Sequence, residues 1–345
     1  MSNNRKAALL ADEVTHIDIT SFDARPIISA MQGMSFSSRD LARAASIYND
    51  MLSDRDCTIM LTLAGSTSAG GCMDLYADLL KNNMIDCVVA TGASIVDMDF
   101  FEGMGFKHYQ AKDSIADDTL RDLLIDRIYD TYIDEEDLQA CDHTIGEIAD
   151  SLPPGPYSSR AFIREMGRYL SEHGKKENSL VKLAFERDVP IFCPAFSDSS
   201  AGFGLVKHQV NRIAEKKPYL SIDSVADFRE LTQIKIEAGT TGLLMIGGGV
   251  PKNFAQDTVV CAEILGHDDV EMHKYAVQIT VADARDGACS SSTLKEACSW
   301  GKVSLAQEQM VFAEATTVLP LLASDAYHQG NWQGRKERRL AKLFQ

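Results

Sequence analysis

The sequence contains no run of the eighteen or so apolar residues that crossing a bilayer requires, so no membrane-spanning helix is expected. Its opening stretch, MSNNRKAALLADEV, has a basic pair but only a short apolar run before acids follow. The apolar core of a secretory signal is therefore missing, and a cytoplasmic protein is expected. The 8 cysteines (Cys57, Cys72, Cys87, Cys141, Cys193, Cys261, Cys289 and Cys298) include no C-x-x-C pair, and several sit in apolar runs such as IDCVVAT and PIFCPAF. That is the setting of buried reduced thiols, not of a disulfide framework or a zinc site. His267 and His273 flank Asp268 and Asp269 without the spacing of a metal motif. They read as a solvated loop, and no metal is predicted. The glycine fingerprint G-x-G-x-x-G is absent too, as are internal repeats and low-complexity tracts.

What the chain has in excess is acid. The net charge is -16, and residues 1–150 hold 27 Asp and Glu against 11 Lys and Arg, while the remainder holds 23 of each. Such a field repels nucleic acid and attracts small cations such as polyamines, and it also aids solubility. The basic stretch GRKERRLAKLFQ (334–345) reads as a short helix with a solvated or subunit-contacting face.

The 345 residues, 45% hydrophobic and 24% charged, fit one open α/β sheet with helices on both faces. Strands are expected at 57–64, 85–91, 190–195, 218–222, 242–248, 275–281 and 309–315, alternating with segments of helical period. Most of these runs are apolar throughout, as strands buried on both faces of a parallel sheet must be. Ser37-Ser38-Arg39-Asp40 opens a helix whose Leu41, Ala44, Ala45, Tyr48, Met51 and Leu52 fall on one stripe. The acidic segment 113–150 is helical in pattern, and SLPPGPYSSR (151–160) breaks it. We read 113–160 as a helical excursion within a single domain spanning 1–345.

Ligands of an open parallel sheet bind outside the carboxyl ends of its strands. Those positions here are rich in Gly, Ser, Thr and Asp. The first run ends in Ala64-Gly65-Ser66-Thr67-Ser68-Ala69-Gly70-Gly71, the kind of turn that offers bare N–H groups to a pyrophosphate at a helix N-terminus. The second ends in Thr91-Gly92-Ala93-Ser94, followed by Asp97 and Asp99, either of which could hold a ribose hydroxyl or cap a helix. Phe196-Ser197-Asp198-Ser199-Ser200-Ala201-Gly202 follows the third run, and Gly247-Gly248-Gly249-Val250-Pro251-Lys252-Asn253 the fifth. One such loop proves little, but four along one sheet argue for an extended nucleotide.

The sixth run leads through Asp286-Gly287-Ala288-Cys289-Ser290-Ser291-Ser292-Thr293 to Glu296 and then Ser299-Trp300-Gly301-Lys302. A lysine desolvated beside an aromatic can attack a carbonyl or an imine as a neutral amine. Alone, such a lysine is more often a surface residue packed on a tryptophan.

EACSWGKV, the preceding GGGVPKN, the upstream PAFSDSSAG, the TGA after the second run, the downstream VFAEATTVLPLL and the early MQGMSFSSRDLARA resemble the deoxyhypusine synthase family in order and spacing, over roughly residues 25 to 330. The resemblance implies a Rossmann-like NAD-binding fold. It also implies a reaction in which a polyamine gives a hydride to NAD and becomes an imine. A catalytic lysine captures the aminobutyl group, an acceptor amine takes it over, and NADH reduces the product. Lys302 matches that lysine, Trp300 the aromatic along the methylene chain, and Glu296 the carboxylate for a terminal ammonium; Ser290 and Asn253 fall at other amine-binding positions. NAD contacts map onto Ser66, Thr91, Gly92, Ala93, Asp97, Asp198, Asp286, Glu314 and Ala315. Family members are homotetramers with active sites between subunits, so an oligomer is expected.

Glu314 stands where the family has an aspartate, and three positions of the amine site also depart from the family pattern. Its histidine after the triple glycine is Asn253, and two polyamine-binding aspartates are Phe203 and Cys289. Buried ammonium groups need partners, so these losses disfavour a triamine held at both ends. Asparagine at the histidine position is similar to homospermidine synthases, which use putrescine as acceptor, and G-G-G-V-P-K-N looks like bacterial deoxyhypusine synthase-like proteins. A small-amine aminobutyltransferase is therefore expected ahead of an enzyme that modifies a lysine of translation initiation factor 5A, and ahead of a noncatalytic NAD-binding regulatory protein.

Overall fold

The computed structural model describes residues 2–111, 115–285 and 292–345. In chain order the strands are β1 (Thr58–Leu63), β2 (Cys87–Ala90), β3 (His108–Gln110), β4 (Ile125–Ile128), β5 (Thr131–Asp134), β6 (Gly155–Tyr157), β7 (Ile191–Phe192), β8 (Leu220–Ile222), β9 (Thr241–Ile246), β10 (His273–Thr280) and β11 (Val303–Phe312). Six of them form a central sheet in the order β11-β10-β9-β1-β2-β7, every pair parallel.

Parallel pairing demands crossover connections, and these cover both faces of the sheet, so β1, β2 and β9 are buried throughout. One face packs Leu61, Leu63 and Val88 against the helices Phe36–Ser53, Met73–Lys81 and Ala315–Gln329. The other packs Met60, Cys87 and Val89 with Leu231 and Ile234 of helix Ser224–Ala238, Ala255 of helix Gly249–Gln256, and Leu294 and Ala297 of helix Leu294–Ser299. Alternate strand residues thus feed two cores. The stripe expected on the first of these helices is buried as read, from Leu41 to Leu52.

The expected α/β fold with a parallel sheet is observed, with local corrections. The run at 218–222 is not in the central sheet: β8 pairs with β6 in a separate two-stranded sheet. β11 begins at Val303, well before the apolar run that marked it, because its first half lies at the sheet edge and carries polar residues. Within 113–160 the helix Glu135–Ser151 is present, but β4 and β5 precede it and join β3 in an antiparallel sheet. The helical reading misses these two strands because each is only four residues long, and the Tyr129–Asp130 turn between them has a non-glycine residue at positive φ.

His273 is not in a solvated loop. It begins β10 and is fully buried, whereas His267 is exposed as expected. The basic segment at 334–345 is also more than a solvated helix. It holds a short 3-10 helix, Leu340–Phe344, and Arg335 is buried, its guanidinium 2.7 Å from Asp86 Oδ2 and 3.0 Å from the Cys57 carbonyl. Cys57, Cys72, Cys87, Cys141 and Cys193 are buried free thiols, and Cys261 and Cys298 are partly exposed. Burial raises all five buried thiols, Cys57 and Cys72 to about 12. No described helix is long and apolar enough to cross a membrane, and no group of metal-ligating side chains occurs among the described residues.

Candidate active site

The carboxyl ends of the strands converge on one rim. After β1, Gly65 turns at φ 77°, and its carbonyl accepts the hydroxyls of Thr91 at 3.0 Å and Ser94 at 2.8 Å from the loop after β2. Gly92 lies so close to the loop after β7 that an added Cβ would stand 2.3 Å from Ser199 Cβ. Asp97 Oδ1 accepts the N–H of Ala201 at 2.9 Å, at the start of helix Ser200–Ala214. Burial pushes the Asp97 carboxyl up, and the N–H groups of Ala201 and Ser200 partly offset this. After β9, Gly247 turns at φ 75°, and a Cβ there would meet Ala64 Cβ at 2.9 Å.

These contacts settle part of what the sequence left open. Asp97 caps a helix across two loops, and Asp99 caps another, accepting from Ser179 Oγ at 2.7 Å and from the N–H groups of Leu180 and Val181. Glu314 caps its own helix, accepting the N–H groups of Thr316 and Thr317, each at 3.0 Å. Against the upward push of partial burial, those bonds and the two threonine hydroxyls hold Glu314 below the ordinary carboxylate range. Ala315 begins that helix, and a Cβ on Gly70 would lie 3.8 Å from Thr316 Cγ2, so this corner joins the same rim. Ser66 and Ala93 are partly buried on it, and Asp198 is exposed. Nothing lies within 4 Å of where a Cβ on Gly65 would stand. Bare main chain beside open space, flanked by small hydroxyl residues, is a surface a dinucleotide can approach closely.

Lys302 lies at the opposite, amino-terminal end of the sheet, just before β11 and beside the first residue of β10. It sits between helix Leu294–Ser299 and β11, its carbonyl accepting the N–H of His273 at 2.9 Å. Its ammonium is 2.5 Å from Asp257 Oδ1 and 5.4 Å from the centre of the Trp300 ring. The lysine side chain is 17% exposed, so it is largely but not fully withdrawn from solvent. Asp257 ends helix Gly249–Gln256 and donates its N–H to Asn253 at 2.8 Å, so Asn253 lies one turn away, on an exposed position. That helix starts at the triple glycine. Its eight residues, roughly 12 Å long, are what separates the glycine rim from the lysine niche.

The structure thus brings Lys302, Trp300 and the Asn253 helix together and adds Asp257, which sequence reasoning missed. Glu296 is not brought to the lysine. It is the third residue of a capping box, its carboxylate accepting the N–H of Thr293 while Thr293 Oγ1 accepts the Glu296 N–H at 3.1 Å. Phe203 projects from helix Ser200–Ala214 with 66% exposure, in an exposed row with Val206, Val210 and Ile213. Asp286, Ser290 and Cys289 lie outside the described residues.

Known proteins resemble this chain along almost its whole length. The family model of deoxyhypusine synthase matches residues 26–326. A "Deoxyhypusine synthase-like protein" of Caulobacter vibrioides is 71% identical over 343 residues, 99% of this chain and 93% of that protein. One from Coxiella burnetii is 72% identical over 342 residues, covering 98% and 96%. "Probable deoxyhypusine synthase 2" of Methanosarcina mazei is 38% identical over 330 residues, covering 95% and 92%. A crystal structure from Entamoeba histolytica, named for the same enzyme, superposes with a TM-score of 0.60 over 91% of this chain and 97% of its own; at 19% identity that likeness shows the fold alone.

Proposed function

This chain belongs to the deoxyhypusine synthase family, and from that premise we propose that it is an NAD-dependent transferase that moves an aminobutyl group between amines through an imine on Lys302. The observation that carries this reading is the niche around Lys302, with an amine nitrogen, a carboxylate at 2.5 Å and an indole ring within 5.4 Å. NAD, held along the glycine and hydroxyl rim by Ser66, Thr91, Gly92, Ala93, Asp97, Asp198, Glu314 and Ala315, would supply a hydride acceptor and later return the hydride.

The residues of the chain do the rest. A cationic amine entering the niche finds Asp257 as an ion-pair partner and the exposed Trp300 ring as a flat surface for its methylenes. An incoming ammonium that takes over Asp257 releases Lys302 from its ion pair. Lys302 gives its ammonium proton to solvent and adds as a neutral amine to the carbon of the substrate imine; one of its remaining N–H protons passes to the departing nitrogen as the old C–N bond breaks. An acceptor amine then attacks the Lys302 imine in the same manner and frees the lysine.

We read the acceptor as a small amine, as in homospermidine synthesis. Asn253 puts a neutral amide one turn from Asp257, and Phe203 offers an exposed apolar surface where the family places an aspartate. The exposed row Phe203, Val206, Val210 and Ile213 also supports the homotetramer that the family resemblance implies, since a helix face of this kind is ordinarily covered.

Incubation with NAD and spermidine or putrescine, borohydride trapping and peptide mass analysis test the reading. An aminobutyl adduct on Lys302 that vanishes in Lys302→Ala is expected, and its absence with every amine would overturn the proposal. Transfer to putrescine but not to initiation factor 5A separates the small-amine reading from protein modification.

A further inference from the structure

Beneath the lysine niche runs a chain of buried polar groups that the reaction does not itself use. Lys235, Thr241 and His273 are each fully buried, and they come from helix Ser224–Ala238, β9 and β10. Lys235 Nζ donates to the Gly239 carbonyl at 3.2 Å and to Thr241 Oγ1 at 2.9 Å. Thr241 Oγ1 is 2.8 Å from His273 Nδ1, and His273 Nε2 is 3.1 Å from the Ala255 carbonyl.

The proton positions follow from donor and acceptor chemistry. A carbonyl only accepts, so His273 Nε2 carries the proton shared with Ala255. Burial, with Lys235 close by, drives the His273 pKa far below its ordinary value, so the ring is neutral and Nδ1 is an acceptor. Thr241 must then donate to Nδ1, and its oxygen is left to accept from Lys235. Every bond in the chain has one direction.

His273 also touches the niche twice. Its main-chain N–H holds the Lys302 carbonyl at 2.9 Å, and its ring holds Ala255, two residues before Asp257. The Ala255 carbonyl is held further by Thr258 Oγ1 at 2.7 Å. One residue is thus bonded both to the segment that carries the nucleophile and to the helix end that carries its carboxylate.

We propose that His273 is a positioning residue that sets the separation of Lys302 from Asp257, with Thr241 and Lys235 fixing its tautomer. This rests on the reading of Lys302 as the residue that carries the imine. A histidine held in one tautomer by a directed chain is a rigid spacer, and about 1 Å of misplacement at a reacting centre can cost on the order of a hundredfold in rate.

The test is the pair Thr241→Val, which keeps the shape and loses the hydroxyl, and Thr241→Ser, which keeps the hydroxyl, in the full-length protein, with His273→Asn, whose shorter amide does not reach Ala255, as a further variant. The first readout is the labelling rate of Lys302 by trinitrobenzenesulfonate, measured by peptide mass spectrometry against Lys295 as internal standard. Thr241→Val and His273→Asn are expected to raise it by about threefold or more as the ion pair loosens, and Thr241→Ser to leave it unchanged. The second is borohydride-trapped adduct formation with spermidine and NAD. The rate at saturating amine is expected to fall about tenfold in Thr241→Val, with the half-saturating amine concentration little changed, and to be restored in Thr241→Ser. Unchanged Lys302 labelling in folded Thr241→Val and His273→Asn would overturn the positioning role. Altered labelling without any adduct in the wild type would uphold the positioning and remove the imine reading instead.

Discussion

Asp97 and Ala201 come from different crossovers of the sheet, yet the carboxylate of one accepts the main-chain N–H of the other at 2.9 Å. The loops after β2 and β7 are locked to one another by this bond, and Gly92 against Ser199 packs the same seam. The rim proposed to hold NAD is thereby fixed by the fold itself.

Asp97→Ala and Asp97→Asn are expected to part company. The alanine leaves the start of helix Ser200–Ala214 without its acceptor and costs roughly 1–3 kcal/mol, seen as a lower midpoint in thermal or urea unfolding. The asparagine keeps an acceptor oxygen and most of that stability. If its carboxylate also holds a ribose hydroxyl, Asp97→Asn loses NAD affinity by calorimetry without losing stability.

Gly92→Ala has nowhere to put its methyl group. At 2.3 Å from Ser199 Cβ the two loops must separate, at a cost of about 1–3 kcal/mol. NAD binding is expected to weaken more than the unfolding midpoint falls. Wild-type NAD affinity in this variant would show that the rim is not where the dinucleotide sits.

Glu102 is the anchor of the amino-terminal segment. It is buried, and its oxygens meet His16 Nε2 at 2.8 Å, His108 Nδ1 at 2.6 Å and Lys176 Nζ at 2.6 Å. Burial pushes this carboxyl up, but the bonds from His108 and His16 and the charge of Lys176 outweigh it and hold it far below 4.5. A depressed folded-state pKa gives stability that is present above the unfolded value and is lost as pH falls below it. Glu102→Gln is therefore expected to cost roughly 3–5 kcal/mol at pH 7. The gap from wild type should narrow as pH falls below 4.5, and proteolysis near residues 10–20 should quicken.

Lys235→Met should make the protein more stable and less reactive. Desolvation lowers the Lys235 pKa from 10.5 to about 8, so the unfolded chain binds the proton more tightly across that window. The penalty is in full force below pH 8 and is relieved as pH rises toward 10.5. Unfolding at pH 7 should show a gain of roughly 1–3 kcal/mol for the methionine, shrinking above pH 8, alongside slower adduct formation at Lys302.

Much of the fold was legible because a parallel sheet buried on both faces leaves continuous apolar runs, and β1, β2, β9 and β10 carry them. The first half of β11 was not, since an edge strand need not be apolar. The antiparallel strands β4 and β5 were hidden by their length and by the acids around them. At the site, Lys302 and Trp300 were visible through the local motif, and the glycine loops through composition. Asp257 lies 45 residues from Lys302 in a helix end of ordinary appearance, and only the fold pairs them. His273, in the polar stretch HDDVEMHK, looked solvated because its partners Thr241 and Ala255 come from separate elements. Glu296 shows the reverse: a residue matched by resemblance to an ammonium-binding carboxylate serves as a helix cap in the fold.

The unequal burial of the thiols opens a direct experimental route to the niche. Among the described cysteines, five are sealed in the cores, and only Cys261 and Cys298 are partly exposed. Cys298 lies on the short helix that delivers Lys302, whose N–H bonds to the carbonyl of its neighbour Ala297 at 3.0 Å. With both Cys261 and Cys289 replaced by Ser, a maleimide dye on Cys298 would sit four residues from Lys302. Its emission would then report amine entry in real time, without any product being isolated.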